Sequence, residues 1–523
     1  AECWFKKFSS LTHHFDVSLL LHMTGPESTE TCDLCIVGGG YAGINALNAA
    51  VKYLPEGARV VVIARERAWG GQWVDQYDFV RLHQPYEQFT AGEREWELKK
   101  PVDYLASKKE ILQHFENIAA ACVRDKRLDL VKLFEYEFVK HSVDSTGKIV
   151  DIKTVPLGDL GVPPIRIAAS KLIIADGVNI HAKKPLQFSA ASLVHSISPV
   201  DISSPKWEVN MRYSIDKDKP IIIVGSGKTA IDVINYLCKN LPGAAERIIC
   251  VSGRGTWFFV REMLLLGTMW SMGPEFVAAN DGSSAEAVCN QMAERGFLHS
   301  PISDPRSFVL GTCSRAEVEM ARDALTPAES KVIKAHLMDV ISDNGVPMLK
   351  LRALDGQTAF MNNIPSGSFL VNCTDHIDPT GEGGFEPILS DDGLVLRPQS
   401  ACGFSGPSAN MCTHLFYSGG LEPLWRNLPR LDFDHADKLT TGLNMLMSVV
   451  MTPTLVTRAL PEHVRSNYMV KPPPIPDGAL ENMQKLMPRM IENYQKLKGR
   501  FTDAKPERRP LSILGGNLVR SKL

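Results

Sequence analysis

Two glycine-rich turns are the segments of this sequence whose residue types and spacing predict chemistry most directly. The first has the sequence GGGYAG and stands between an apolar run and an amphipathic segment. Here Gly38 permits a tight turn, Gly40 lets a pyrophosphate approach the backbone, and Gly43 lets helix and strand pack closely. The helix start offers unpaired N–H groups to phosphates. The predicted dinucleotide-binding residues are Gly38, Gly40, Tyr41, Ala42 and Gly43.

The second turn, GSGKTA, follows the apolar run Ile221 to Val224 and has alanine in place of the third glycine. This pattern also predicts a dinucleotide-binding turn. A P-loop is excluded, because that motif needs a glycine five residues before Gly227, where Ile222 stands. The predicted binding residues of this turn are Gly225, Ser226, Gly227, Lys228 and Thr229.

The strand that follows each turn should present a group that recognises the ribose. After the first turn, Glu66 is the candidate for the ribose hydroxyls, and a solvated surface charge is the alternative. After the second turn, the strand ends in Ser252 and Arg254 without a carboxylate. A cation there suits a 2′-phosphate and favours NADPH over NADH, with a plain surface arginine as the alternative.

The elements that position these turns are predicted by six short apolar runs. Their continuous rather than alternating character indicates strands buried on both faces, as in a parallel sheet. Helical patterns lie between several of them, so the sequence predicts an α/β doubly wound fold with two Rossmann-like domains and helices near the C-terminus. The runs are Leu34–Val37, Val60–Ile63, Leu172–Ala175, Ile221–Val224, Ile248–Val251 and Phe369–Val371.

The two turns, in this order, resemble those of the class B flavin-dependent monooxygenases. This superfamily includes flavin-containing monooxygenases, Baeyer–Villiger enzymes, N-hydroxylases and the plant YUCCA-type enzymes. Gly70 to Trp73 is similar to its GGxW string, and Arg81 to Pro85 to the LHxP stretch of the YUCCA-type branch. The resemblance covers roughly residues 32 to 262. The chain departs from the family at Ala64, where a glutamate is usual, and at Asp176, within the ATG motif.

The resemblance implies FAD at the first turn and NADPH at the second. In the family, NADPH reduces the flavin, the reduced flavin and oxygen form a hydroperoxide, and one oxygen atom passes to a small organic substrate. Gly71, Gln72 and Trp73 are then expected to line the flavin. His83 stands where flavin-containing enzymes place an active-site asparagine, so His83 and Gln84 are the catalytic candidates. The alternative for His83 is a structural histidine bonded to backbone.

Changes in composition along the chain predict its domain limits. We expect a disordered N-terminal extension, an FAD-binding domain in two parts, and an NADPH-binding domain with a helical insertion between those parts. A helical region that could cover the substrate pocket or form a homo-oligomer follows, and then a tail. The predicted limits are 1–31, 32–205, 206–335, 336–435, 436–510 and 511–523, with the polar segment 201–219 as a linker.

Charge and cysteine content exclude other classes of function. Lysine and arginine number 57 against 59 acidic residues, which gives no electrostatic reason to expect nucleic acid or an anionic membrane. The 11 cysteines are scattered, which fits free thiols in a reducing compartment, and they predict no metal site. No apolar run reaches the roughly 20 residues that span a bilayer. The final tripeptide, Ser521 to Leu523, predicts recognition by a peroxisomal import receptor and a peroxisomal location.

Two other functions stay open at this level. One is an NADPH-dependent flavin oxidase or reductase that releases hydrogen peroxide. The other is a non-catalytic nucleotide-binding protein, which the altered ATG motif favours. A disulfide reductase is excluded, because no Cys-x-x-x-x-Cys follows the first turn.

Overall fold

Two parallel five-stranded sheets organise the computed structural model of this chain. They confirm the predicted α/β class with two Rossmann-like units. The structure describes residues 28–158, 163–176, 183–265, 268–282, 284–362, 364–374, 388–398, 405–421, 437–447 and 477–502.

The first sheet contains the strand that leads into the first glycine turn. Its strands are, in spatial order, Val395–Leu396, Leu172–Ile174, Leu34–Val37, Arg59–Ala64 and Asp129–Phe134. Leu34 and Ile36 pack among helices on one face, while Cys35 and Val37 pack against a mixed four-stranded layer on the other. Burial of both faces is why this strand is apolar throughout.

The layers that cover the first sheet are formed mostly by residues between its strands. The helices on one face are Tyr41–Ala50, Lys108–Lys126 and Ser405–Ser418. The layer on the other face is a four-stranded sheet with the order Ser28–Cys32, Ile165–Ala169, Val150–Pro156 and Tyr136–Val143.

The second sheet repeats this plan around the second glycine turn. Its spatial order is Val194–Ile197, Ser368–Asn372, Ile221–Val224, Ile248–Val251 and Val332–Ile333. The helices on one face are Pro205–Asp216, Lys228–Asn240, Ala244–Arg247 and Arg315–Ala324. The other face is covered by the antiparallel strands Ala335–Asp343, Val346–Ala353 and Thr358–Met361.

The described elements differ in several places from the segment limits and the linker that the sequence predicts. The second sheet takes strands from both sides of the predicted limits 206 and 335, because strands 194–197 and 368–372 pair with each other inside it. The predicted linker contains the helix Pro205–Asp216, which is polar because only a narrow stripe of it is buried. The predicted extension 1–31 ends in the strand Ser28–Cys32, which pairs with Ile165–Ala169.

A third layer joins an insertion of the second unit to the helices near the C-terminus. A small sheet of Leu298–His299, Trp257–Val260 and Phe308–Cys313 packs with helices Thr268–Ala279 and Ala285–Glu294. The helical residues 438–447 and the helix Ala479–Thr502 cover this layer. Asn493 fixes the last helix, since its Nδ2 donates to the carbonyl oxygen of Ala278 at 2.8 Å. Within the described residues, no helix has the length and apolar character to span a membrane.

Candidate functional site

The first glycine turn joins the ends of three strands at the carboxyl edge of the first sheet. The N–H of Gly38 donates to the carbonyl of Ile63 at 2.7 Å, and the N–H of Ala175 donates to Val37 at 2.7 Å. Gly38 has a φ of 109°, and a Cβ on it would overlap the carbonyl oxygen of Ala175. A Cβ on Gly43 would likewise overlap the oxygen of Gly38. Glycine is therefore required at both ends of the turn.

A second pair of glycines lies directly on this turn. The N–H of Gly70 donates to the carbonyl of Gly39 at 2.9 Å, and a Cβ on Gly71 would lie 2.8 Å from the Cα of Gly40. Gly40 is the N-cap of helix Tyr41–Ala50, and its helix start has no side-chain cap and no acidic residue in the first turn. Unpaired N–H groups at such a helix start attract anions.

Two aromatic residues predicted to bind a cofactor differ in their contacts. The ring of Tyr41 stacks on Phe89 at 3.8 Å between centroids, and its hydroxyl donates to the carbonyl of Thr90 at 3.1 Å. Tyr41 therefore uses its side chain for packing and has its backbone left for a nucleotide. Trp73 is buried in the short helical turn Gly71–Trp73, and its indole Nε1 has no hydrogen-bond partner among the described residues. Gln72, which lies between Gly71 and Trp73 in the sequence, is partly buried.

Glu66, the predicted ribose ligand, lies two residues beyond the strand Arg59–Ala64. Burial raises the pKa of its carboxyl, and the charge of Arg65 acts in the opposite direction. The guanidinium of Arg65 binds Glu137 through two hydrogen bonds of 2.6 Å. Burial also raises the pKa of Asp176, which departs from the family motif at this edge. Glu66 is thus a partly buried carboxyl near the first turn, and its role as ribose ligand stays a prediction.

The second glycine turn has the same local geometry as the first. Gly225 has a φ of 111°, its N–H donates to the carbonyl of Val251 at 2.9 Å, and a Cβ on it would lie 2.5 Å from the carbonyl oxygen of Cys373. At Gly227, the N-cap of helix Lys228–Asn240, no atom of the described residues lies within 4 Å of the position that a Cβ would take. Ser252 donates a hydrogen bond to Ser226 at 2.8 Å, which ties the strand end to the turn.

Basic groups converge beyond Ser252. Arg254 is exposed, and the ring of His336 packs on the Cα of Gly253, where a Cβ would overlap it. His336 pairs across the antiparallel sheet with Arg352. Burial, and then the charges of Arg254 and Arg352, lower the pKa of His336. Sequence reasoning missed His336 and Arg352, because strand pairing brings them to Arg254 from far along the chain.

Lys228, a predicted phosphate ligand, is held by two carboxylates. Its ammonium pairs with Asp232 and also lies 3.2 Å from Glu317. Arg261 binds the other oxygen of Glu317 at 2.7 Å. Glu317 takes this position because it forms a capping box with Ser314 at the start of helix Arg315–Ala324. The two cations keep the pKa of Glu317 well below its ordinary value despite burial. We call these four charged residues the charge cluster.

One segment of the first unit, residues 70–84, contacts both the first turn and the charge cluster. The hydroxyl of Tyr77 donates to Asp232 at 2.8 Å and also bonds to Thr229. Arg261 donates through Nε to the carbonyl oxygen of His83 at 2.7 Å. Phe79 stacks on Tyr236 with centroids 4.2 Å apart. We call residues 70–84 the bridging segment.

His83 lies at the end of the bridging segment as an uncharged imidazole. Burial, together with the charges of Lys228 and Arg261, lowers its pKa to about 3. Its backbone carbonyl makes the contact with Arg261, which matches part of the structural alternative. Gln84 is partly buried beside it. The structure therefore brings His83, the first turn and the second turn into one connected region. Gly177, which follows Asp176 in the altered ATG motif, lies outside the described residues.

Comparisons with known proteins give distant matches. No protein-family model matches the chain. Uncharacterized proteins of Mycobacterium tuberculosis and Mycobacterium bovis are each 24% identical to it over 399 residues. These alignments cover 72% of this chain and 66% of each relative, so the chain spans about two thirds of the relatives' length.

Solved structures with similar coordinates are more distant in sequence. A polycyclic ketone monooxygenase from Thermothelomyces thermophila has a TM-score of 0.46 at 13% identity, covering 92% of this chain and 91% of that one. An ornithine hydroxylase from Pseudomonas aeruginosa has 0.43 at 11%, covering 74% and 99%. A bacillithiol disulfide reductase from Bacillus cereus has 0.43 at 12%, covering 75% and 100%. These scores and identities are low, so the similarities assign neither a reaction nor a substrate to this chain.

Proposed function

We propose that this chain is an FAD- and NADPH-dependent monooxygenase that transfers one oxygen atom from molecular oxygen to a small organic substrate. The observation that carries the proposal is the pair of glycine turns with matching geometry. Gly38 and Gly225 have nearly equal positive φ values, and in each case a backbone carbonyl of the neighbouring strand end leaves no room for a side chain. Each turn opens a helix at the carboxyl edge of a parallel sheet, where such folds bind ligands.

The residues at the first turn fit FAD. Gly38, Gly40 and Gly71 form a backbone cradle that side chains would fill, and the uncapped helix start supplies N–H groups for a pyrophosphate. The buried indole Nε1 of Trp73 has no acceptor among the described residues, and a flavin or its ribityl chain offers one. Glu66 is our candidate for the adenosine ribose.

The residues at the second turn fit NADPH. The open space at Gly227 admits a pyrophosphate, and the basic groups near Arg254 suit the 2′-phosphate. Lys228 is committed to the charge cluster, so we assign the phosphate contacts to the backbone N–H groups of Ser226, Gly227 and Thr229 rather than to the ammonium.

The chain's own residues would serve the reaction by holding the reacting groups together in a dry region. When bound, the two cofactors supply hydride transfer and the activation of oxygen. The bridging segment holds His83 beside the second unit, and its uncharged imidazole can donate or accept a hydrogen bond without adding charge. Trp73 and Phe89 exclude water around the first turn.

The absorbance spectrum of the purified protein tests the cofactor assignment. We expect flavin bands that bleach when NADPH is added without oxygen and that recover in air. NADPH consumption and hydrogen peroxide release are then measured together, with and without panels of amines, ketones and sulfides.

The outcomes separate the proposal from its alternatives. A substrate that lowers the peroxide released per NADPH, with the mass of its product increased by one oxygen atom, supports the monooxygenase. Peroxide equal to NADPH for every candidate supports an oxidase. Absence of flavin bands, with none restored by added FAD, supports a non-catalytic nucleotide-binding protein and contradicts the proposal.

A further inference from the structure

The antiparallel layer of the second unit places His336 beside the end of the strand that follows the second turn. The ring of His336 occupies the space in front of Gly253 so closely that alanine at 253 would overlap it. The φ of Gly253 lies outside the left-handed region, so a side chain at this position would meet the histidine ring rather than backbone strain. This contact places an imidazole at the strand end, and His336 pairs with Arg352 across the antiparallel sheet.

The charged groups that act on His336 are both positive. The described groups whose charges shift its pKa are Arg254, from the loop after strand Ile248–Val251, and Arg352, from the neighbouring strand. Along the chain the nearest charged residues are Lys334, which precedes this strand, and Asp339, which lies on it and accepts hydrogen bonds from the backbone N–H and hydroxyl of Ser189. An imidazole placed beside two guanidinium groups is disfavoured in its charged form until an anion arrives.

We propose that Arg254, His336 and Arg352 together bind the 2′-phosphate of NADPH, and that His336 takes up a proton when the phosphate binds. This inference depends on the proposed function, since it assigns the ligand of the second turn. It makes the preference for NADPH over NADH depend on pH through one identified side chain. Arg254 alone would give a preference with little change near neutral pH, because a guanidinium keeps its proton there.

The direction of the pH effect follows from the charges. In the free protein the pKa of His336 is lowered, so the ring is mostly neutral at neutral pH. A phosphate dianion beside the ring raises that pKa, and complex formation then takes up a proton. Affinity for the phosphate therefore rises as the pH falls between the two pKa values.

Calorimetric titration of the flavin-loaded protein tests this with adenosine 2′,5′-bisphosphate and with 5′-AMP, which lacks the 2′-phosphate. Titrations in two buffers of different ionisation enthalpy count the protons taken up. We expect the bisphosphate to bind about fivefold more weakly at about pH 8 than at about pH 6.5, with net proton uptake, because a coupled proton gives at most tenfold per pH unit. The affinity for 5′-AMP should change far less.

Variants identify the side chain responsible. His336→Gln should remove most of the proton uptake, and the phosphate's own titration, with a pKa near 6, is the same in both proteins. Arg352→Gln keeps the histidine. It should lower the affinity for the bisphosphate and leave the affinity for 5′-AMP unchanged, so it tests the site if His336→Gln fails to fold. His195→Gln, an exposed histidine on the edge strand of the same sheet, should behave as wild type.

The results distinguish this inference from the proposed function. Unchanged proton uptake in His336→Gln, with bisphosphate still preferred over 5′-AMP, overturns the role of His336 and leaves the NADPH assignment standing. Equal affinity for the two nucleotides in wild type overturns the three-residue phosphate site. Failure of wild type to bind either nucleotide overturns both the inference and the assignment of the second turn.

Discussion

Gly40, in the first glycine turn, is the residue that Gly71 approaches most closely. A Cβ on Gly40 would lie 3.3 Å from the Cα of Gly71, so the branched side chain of valine would fill the gap between the first turn and Gly71. We predict that Gly40→Val loses bound flavin, because its methyl groups occupy the approach of the pyrophosphate. The ratio of flavin to protein absorbance after purification measures this loss.

A matched glycine controls for effects on the fold. Gly57 has a φ of 76° and open space where a Cβ would stand, so Gly57→Ala should keep its flavin. Circular dichroism shows whether Gly40→Val remains folded. A folded Gly40→Val protein with full flavin content would show that the pyrophosphate does not lie at this turn.

His114 links the stability of the first unit to pH. It is buried, accepts a hydrogen bond from the N–H of Ala91 at 3.2 Å and stacks on Trp96 at 3.9 Å, and burial lowers its pKa to about 3. Between about pH 6.5 and about pH 3 the unfolded chain binds a proton that the folded protein does not. The free energy of unfolding therefore decreases as the pH decreases, by up to about 1.4 kcal/mol per pH unit.

We predict that His114→Gln flattens this acid-side loss. Urea midpoints at about pH 7 and about pH 5 measure the free energy of unfolding, and the difference between them should be smaller in the variant than in wild type. His195→Gln, exposed in the other unit, should keep most of the wild-type difference. Equal differences in His114→Gln and wild type would mean that His114 is protonated in the folded protein.

At the scale of elements, the charge cluster joins helix Lys228–Asn240, helix Arg315–Ala324 and the residue after strand Trp257–Val260. Glu317 pairs with both Lys228 and Arg261. We predict that Glu317→Gln lowers the free energy of unfolding at neutral pH by about 2–3 kcal/mol, because it leaves two buried cations without their shared carboxylate. Denaturant unfolding followed by tryptophan fluorescence measures this change.

The pH dependence of this contribution has the same sign as that of His114, because a lowered folded-state pKa makes the unfolded chain bind the extra proton in both cases. The pKa of Glu317 is lowered in the folded protein, so its contribution is present at neutral pH and is lost as the pH falls below the ordinary range of glutamate. Wild type and Glu317→Gln should therefore converge in acid. Glu319→Gln, exposed on the same helix, is the control and should cost little. A cost in Glu317→Gln no larger than in Glu319→Gln would contradict the cluster's role.

The elements that the sequence predicts are those buried on both faces. The six apolar runs are the central three strands of the two sheets, and all six are confirmed as strands. The outer strands escaped prediction because they are short, as in Val332–Ile333, or carry polar residues, as in Asp129–Phe134. The antiparallel strands alternate between buried and exposed residues, as Val346–Ala353 does, and this weaker pattern gave no apolar run.

The candidate site could be predicted where chemistry and local geometry coincide in one short segment. Both glycine turns and the residues after the next strands meet that condition. Tyr77, Glu317 and His336 do not, because their partners lie in other elements and, for Tyr77, in the other unit. The sequence predicts Lys228 as a phosphate ligand, but the carboxylate of Glu317 reaches its ammonium from another helix, and this contact cannot be read from the segment around Lys228.

At the scale of the whole molecule, the two units follow one plan, and the chain passes from one to the other and back. The strand Val194–Ile197 enters the second sheet before its glycine turn, and Val395–Leu396 returns to the first sheet after the second unit is complete. Residues 438–447 and helix Ala479–Thr502 then pack on the insertion of the second unit, so the described chain crosses between the units repeatedly, which opposes their separation. The predicted tail with Ser521 to Leu523 lies outside the described residues, so peroxisomal import and a homo-oligomer stay predictions.

The bridging segment is the part of the first unit that can transmit the position of one nucleotide turn to the other. Tyr77 donates to Asp232, which itself pairs with Lys228 at the start of the helix after the second turn. Loss of this hydroxyl should let the units shift without removing a residue from either turn. The stack of Phe79 on Tyr236 would remain to keep the units in contact.

We predict that Tyr77→Phe slows flavin reduction by NADPH about tenfold, because hydride transfer is sensitive to small changes in the position of the donor. Stopped-flow absorbance without oxygen measures this rate, and reduction by dithionite, which needs no nucleotide, should be unchanged. Tyr104→Phe, which removes a hydroxyl bonded to Glu110 within the first unit, is the matched control and should keep the wild-type rate. An unchanged rate in Tyr77→Phe would show that Phe79 and Arg261 suffice to hold the two units in register, while slower reduction by dithionite as well would place the damage at the flavin instead of between the units.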